Sequence, residues 1–243
     1  MKERPWYDDA FGALYSVLYA HRDADSARSE VDFVIRELPI HKQDVVLDLG
    51  CGTGRHLDAL KLGGWSGIGL DRSKDLLAQS KERNTRFLIR GDLRSLPLKD
   101  KAVDVVLSFF TSFGYFEDEV EDAQVLSEVA RILKPNGRYL LDYLSADDVR
   151  LHLKPHTLKT VGDYEMEERR RIEGSRVRKQ VTIRRIGGQV LHEYEESVRL
   201  IEPEALQVML RSAGLMIRKV FGSLDGRALG DGSRCVLMAE KSS

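Results

Sequence analysis

The chain has 243 residues, enough to bury a full core as one domain (residues 1–243) that carries an insertion. Its residues are 42% hydrophobic and 32% charged, as in ordinary soluble globular proteins, and a formal net charge of −1 gives no electrostatic case for a nucleic-acid binder. Two cysteines make no disulfide framework, no apolar run approaches the about 20 residues that cross a bilayer, and Met1-Lys2-Glu3-Arg4-Pro5 lacks the apolar core of a signal peptide. The expectation is a cytoplasmic protein with no membrane contact.

Trp6, Phe11, Leu14, Tyr15 and Leu18 recur at helical spacing and predict a helix over 6–20. Val31, Val34, Ile35 and Leu38 predict a second from about 25 to 39. Together residues 1–40 read as an N-terminal helical cap. Val45-Val46-Leu47 then forms a short apolar run, typical of a strand buried on both faces, and Asp48 ends it. Gly50, Gly52 and Gly54 turn the chain into a helix over 55–62. Strand 66–71, helix 73–83 with Ser73 as its cap, strand 86–90, strand 103–108, a helix from about 118 to 133 and strand 138–143 follow. Such alternation predicts an α/β fold: a parallel sheet with helices on both faces and right-handed crossovers.

From 155 to 201 the period changes to two. Arg176–Arg184 and Val190–Leu200 alternate around Gly187-Gly188, a hairpin signal, and a further strand is expected at 165–172. This inserted antiparallel meander is too small to stand alone. It should pack over the C-terminal edge of the main sheet or on a partner subunit, which would make a homodimer. Glu165, Glu167, Glu168, Glu193, Glu195 and Glu196 lie among its arginines, so cross-strand ion pairs explain the basic run better than nucleic acid does. A helix opening at Glu202-Pro203 and ending at Gly214, then strands 215–221 and 234–240, complete the chain.

The glycine loop is a ligand loop, because glycines at a strand-to-helix turn let backbone approach a bound molecule closely. A dinucleotide loop would read G-x-G-x-x-G, whereas here the glycines run G-x-G-x-G and Arg55 takes the place of the third. No Gly-Lys-Ser/Thr is present for a nucleoside triphosphate. Asp48 beside the first glycine suits an ammonium group better than a phosphate. Asp48, Asp71, Asp92 and Ser108 all fall at C-terminal strand ends, where ligands sit in open parallel sheets.

Asp48-Leu49-Gly50-Cys51-Gly52-Thr53-Gly54 resembles the first motif of class I S-adenosylmethionine (SAM)-dependent methyltransferases. Ile68-Gly69-Leu70-Asp71, Arg90-Gly91-Asp92-Leu93, Val103–Ser108 and Leu133-Lys134-Pro135-Asn136-Gly137 resemble the later motifs, in order and spacing. The resemblance covers about half the chain. It implies a Rossmann-like, seven-stranded, mostly parallel sheet whose last strand is antiparallel, with SAM as cofactor. Carried over residue by residue, it puts Asp48, Gly50, Cys51, Gly52, Asp71, Arg72, Gly91, Asp92, Leu93 and Ser108 at the cofactor, with Asp71 on the ribose hydroxyls and Asp92 on the adenine amino group. The N-terminal aromatics either pack or, as in some similar methyltransferases, close over the cofactor through Tyr7, Tyr15 or Tyr19. Arg22, after His21, is placed to bond the methionine carboxylate.

Methyl transfer from a sulfonium needs mainly in-line positioning, and aromatic faces stabilise the cation. Phe109, Phe110, Phe113 and Tyr115, with Tyr143 at the end of strand 138–143, are expected to wall the acceptor pocket. Ser108-Phe109-Phe110-Thr111 lacks the Asn/Asp-Pro-Pro-aromatic motif of enzymes that methylate base amino groups, and neither Cys51 nor Cys235 sits in a nucleophile motif. The pattern looks more like small-molecule methyltransferases, including those acting on sugar amines. The catalytic residues stay unassigned: His56, His152, His156 and His192 are base candidates or plain packing residues, and no grouping has metal-site spacing. The expectation is methyl transfer to an N or O atom of a small-molecule acceptor. An RNA methyltransferase and a SAM-binding regulatory protein without turnover are the alternatives.

Overall fold

The computed structural model describes residues 5–19, 22–82 and 87–242. His21 and the first residue of the strand expected at 86–90 lie outside the described residues.

The nucleotide-binding half runs β1 (Val46–Leu49), α4 (Arg55–Leu62), β2 (Gly67–Asp71), α5 (Lys74–Glu82), β3 (Leu88–Arg90), β4 (Val103–Ser108), α6 (Glu119–Ile132) and β5 (Leu133–Leu144), and is preceded by α1 (Tyr7–Ala10), α2 (Tyr15–Leu18) and α3 (Ala24–Glu37). After it come α7 (Ala146–His152), β6 (His156–Val161), β7 (Tyr164–Glu173), β8 (Arg176–Arg185), β9 (Val190–Arg199), α8 (Pro203–Ser212), β10 (Leu215–Phe221) and β11 (Arg234–Lys241). The main sheet has the order β10-β11-β5-β4-β1-β2-β3, and only β11 breaks the parallel direction, against β5 and β10. β1 pairs in parallel with both β2 and β4, so the winding reverses beside it and opens a crevice at the C-terminal strand ends.

Burial on both faces explains the apolar runs. Leu47, Leu49, Val106 and Leu141 pack beneath α6 and α8, with Leu126, Val129, Leu206 and Leu210. Val46, Val105, Leu107 and Leu140 face the other way, onto Val31 and Val34 of α3 and Leu57 and Leu60 of α4. Caps fix where several helices begin. Asp23 accepts from Ser26 N at 2.9 Å, Asp118 from Val120 N at 2.9 Å and Ser73 Oγ from Leu76 N at 3.1 Å.

The structure departs from the expected elements at three places. The helix expected over 6–20 is two short helices, because Gly12 weakens the middle and Ser73 Oγ takes the Phe11 carbonyl at 2.6 Å. α7, capped by Ser145, was not anticipated. The insertion has four strands in the order β6-β7-β8-β9, one more than its alternation suggested, with β6 joined to β7 by Gly162-Asp163 and Gly162 at φ +56°.

The inserted sheet packs on the N-terminal cap. Met166, Val181, Ile183 and Tyr194 bury against Ala10, Leu18 and Tyr19. It is also tied to the segment after β4: Arg199 N donates to Gly114 O at 2.9 Å, and Arg176 donates to the Phe116 carbonyl. Arg169 pairs with Glu167, and Arg171 and Arg178 with Glu195, so this sheet's charges largely neutralise one another. Among the described residues, no helix is long and apolar enough to cross a membrane.

Candidate active site

The β1–α4 loop is shaped by backbone bonds to its neighbours. Gly50 N and Cys51 N both donate to Leu70 O, at 2.8 and 3.0 Å. Gly50 sits at φ +80°, and a Cβ added there would lie 2.7 Å from Ser112 Cβ and closer still to its hydroxyl. Only glycine fits between the cofactor loop and the segment after β4. Asp71, at the end of β2, accepts from Gly52 N and Ser73 N, both at 2.8 Å. Burial pushes its pKa up despite those bonds.

Asp48 lies beneath the loop, 1% exposed, with no hydrogen-bond partner at Oδ2, and burial pushes its pKa up to about 7. A buried carboxyl with one unpartnered oxygen under a glycine loop resists ionisation until a cationic ligand arrives to favour the charged form. Asp92, after β3, is differently placed. Burial pushes its pKa up, but Arg94 and Arg72 outweigh this and hold it low. Its oxygens accept from Arg94 Nε at 2.9 Å and from Arg72 at 2.7 Å. Arg72 also donates to Asp8 at 2.6 Å and lies 5.3 Å from the Tyr7 ring, which ties the cap to this end of the crevice.

These strand ends and the cap enclose a cavity of about 440 Å³. Its walls include Gly50, Gly52, Asp71, Asp92, Phe110 and Tyr115. Cys51, Arg72, Leu93, Phe109, Tyr19 and Arg22 also reach it, so most of the expected site residues converge. Five do not. Asp48 and Ser108 are buried below the loop ends, and Gly91 is outside the lining. Phe113 and Tyr143, expected on the acceptor wall, are 1% and 0% exposed core residues packed edge-on at 5.9 Å. Tyr143 turns inward because its hydroxyl donates to Arg199 O at 2.6 Å.

The cap supplies the roof. Tyr15 accepts from Arg22 at 2.6 Å, and Tyr19 accepts from Lys179 Nζ, on β8, at 3.0 Å. Trp6 and Phe11 pack on Tyr115 at 4.8 and 6.0 Å. Phe110 faces three cations, Arg55 at 4.5 Å, Arg22 at 5.1 Å and Arg234 at 5.3 Å. His56 stacks on Phe109 at 3.8 Å, and its Nε2 lies 2.8 Å from Glu30 Oε2. Burial pushes His56 down to about 4, so the ring is neutral. His152, His156 and His192 are not on this cavity. Sequence reasoning missed Asp8, Glu30 and Ser112 as partners. Only the Asp-Asp pair before Phe11 and the serine between Phe110 and Phe113 offered a signal, and neither says what it will touch.

The residues present fit SAM: carboxylates at or near the ends of β1, β2 and β3, a glycine cradle, and aromatic side chains along the cavity wall. Among the described residues, no cluster of three His, Cys, Asp or Glu side chains is arranged to hold a metal.

Residues 47–141 match the family described as Methyltransferase domain. The chain is 27% identical over 241 residues to the dTDP-3-amino-3,4,6-trideoxy-alpha-D-glucopyranose N,N-dimethyltransferase of Streptomyces venezuelae, covering 92% of this chain and 97% of that protein. It is 27% identical over 164 residues to protein MJ1252 of Methanocaldococcus jannaschii, covering 60% of this chain and 62% of that one. In structure it resembles the CcbJ methyltransferase of Streptomyces caelestis, with a TM-score of 0.81, 19% identity and coverage of 97% and 99% of the two chains. Residues 47–141 are thus a methyltransferase domain whose sheet order and glycine loop resemble those of the class I SAM-dependent kind, and the chain spans only 35% to 62% of the length of the first curated relatives it matches.

Proposed function

We propose that the protein transfers a methyl group from SAM to an amine nitrogen of a small, sugar-like molecule. The observation that carries this reading is the roof: the cavity is closed over by cap aromatics and backed by the inserted sheet, which leaves room for a small acceptor. Supporting it, the relative named as an amino-sugar N,N-dimethyltransferase matches over 92% of this chain, well beyond the nucleotide-binding half.

Bound SAM supplies an electrophilic methyl group on a sulfonium. Asp71 takes the ribose hydroxyls, and its bonds to Gly52 N and Ser73 N hold the loop at the same time. Asp92 takes the adenine amino group by exchange: its two oxygens already accept four bonds from Arg94 and Arg72, so one of these must give way to the new donor. Asp48, held partly protonated by burial, ionises from beneath the loop when the cationic cofactor binds, and Arg22 takes the methionine carboxylate. Phe109, Phe110 and Tyr115 wall the reacting end. His56 is neutral but its Nε2 faces Glu30, which leaves the reaction no evident base. A neutral amine needs none before attack, whereas a hydroxyl would.

The test is a set of nucleotide-linked amino sugars and their hydroxyl counterparts, incubated with SAM and scored by mass. Added methyl groups on the amines and not on the hydroxyls are expected. Methylation confined to hydroxyls would contradict the amine assignment.

A further inference from the structure

The chain leaves β4 through a turn that ordinary side chains avoid. Phe110 and Thr111 both have positive φ, +55° and +60°. For a β-branched residue such as Thr111 that is a genuine outlier, and it persists only where the surroundings over-determine it. The surroundings here are two residues remote in sequence. Asp142, 0% exposed on β5, accepts from Phe110 N at 2.8 Å through Oδ2, and its carbonyl accepts from Thr111 N at 3.0 Å. Arg234, at the start of β11, donates to Asp142 Oδ1 at 2.7 Å and to Thr111 Oγ1 at 3.2 Å. The register that pairs Asp142 with Val236 and Leu144 with Arg234 fixes this clamp on rigid strands.

The turn has two consequences at the cavity. It drops Ser112 into the space left by the missing Gly50 side chain, with Ser112 Oγ donating to Phe109 O at 3.2 Å. It also presents the Phe110 ring to Arg22 and Arg55. Neither Asp142 nor Arg234 lines the cavity. We propose that Asp142 and Arg234 are positioning residues that hold the Phe110–Thr111 turn in its strained form and so set the acceptor wall against the cofactor loop. The inference rests on the methyl-transfer reading for its kinetic consequence, but its structural content stands apart from it.

Asp142→Asn keeps the size of the side chain and removes the charge that Arg234 grips. Its kcat, read as transfer of labelled methyl from saturating SAM into the small-molecule fraction of a cell extract, should fall about 30- to 100-fold. Its SAM dissociation constant, measured by titration, should change little. Adding Thr111→Gly should recover most of the loss, since glycine holds a positive φ without a clamp; a role limited to overall stability would show no such rescue at temperatures where both variants are folded. Should Asp142→Asn fail to fold, Arg234→Gln weakens the same grip from a partly exposed position and should show the same pattern.

A crystal structure of either variant in which Phe110 and Thr111 keep positive φ and Ser112 stays over Gly50 overturns the proposal, whatever the activity. Unchanged kcat in a folded variant of an active enzyme overturns it too. A relaxed turn in a protein whose wild type transfers no methyl would support the clamp and count against the methyl-transfer reading alone.

Discussion

Asp71 holds the loop at Gly52 and, in the proposed reading, also takes the ribose hydroxyls, so its loss should exceed that of a single hydrogen bond. For Asp71→Ala we expect SAM affinity to fall by about 2–3 kcal/mol, roughly 30- to 150-fold in a binding titration. Near-normal affinity would refute the ribose assignment. Two buried groups give opposite pH dependences. His56, lowered to about 4 by burial, refuses a proton that the unfolded chain accepts near 6.5, so its contribution to stability is lost as pH falls through that window. Asp48, raised to about 7 by burial, keeps a proton that the unfolded chain releases near 4, so its contribution is lost as pH rises toward 7. Asp48→Asn removes the second effect alone. It should melt higher than wild type at pH 8, and its stability should fall more steeply than wild type between pH 6.5 and 4. Parallel stability curves would contradict the assignment of these two groups. At this scale Asp71 and Asp92 were legible as carboxylates at or just past strand ends, and both line the cavity, whereas Asp48, inside β1, is buried beneath the loop. Phe113 and Tyr143 were not legible. The direction of a loop aromatic depends on what packs behind it, and Tyr143 turns toward a carbonyl of Arg199 that lies in the insertion.

The elements that were legible carry periodicity: the alternating β and α runs of residues 45–143 and the two-residue period of β8 and β9. The cap helix over 6–20 broke where a side chain from α5's N-terminus took its backbone, a tertiary contact that no local pattern encodes. β6 is short and largely exposed, and so leaves little hydrophobic signal. The inserted sheet reaches the cavity through the cap it supports and through its bonds to the segment after β4. Met166, 0% exposed among Ala10, Leu18 and Tyr19, is the centre of that support. Met166→Ala should destabilise this contact by about 2–5 kcal/mol. It should also weaken SAM binding and speed proteolysis within the cap, although Met166 is remote from the cavity lining. Lower stability with unchanged SAM affinity and an unchanged cleavage pattern would show that the insertion does not support the roof.

At the scale of the whole molecule, two sheets share one task. The parallel sheet brings the ends of β1, β2, β3 and β4 to a single crevice, and the inserted sheet holds the aromatic cap over it. Ion pairs of Arg169, Arg171 and Arg178 with Glu167 and Glu195 offset much of the charge on the inserted sheet. The most direct measurement of this account uses SAM carrying a labelled methyl group, incubated with the protein and a cell extract and then separated into small-molecule, nucleic-acid and protein fractions. The account predicts label in the small-molecule fraction, lost with Asp71→Ala. Label in a nuclease-sensitive fraction, or SAM binding with no transfer to any fraction, would contradict it.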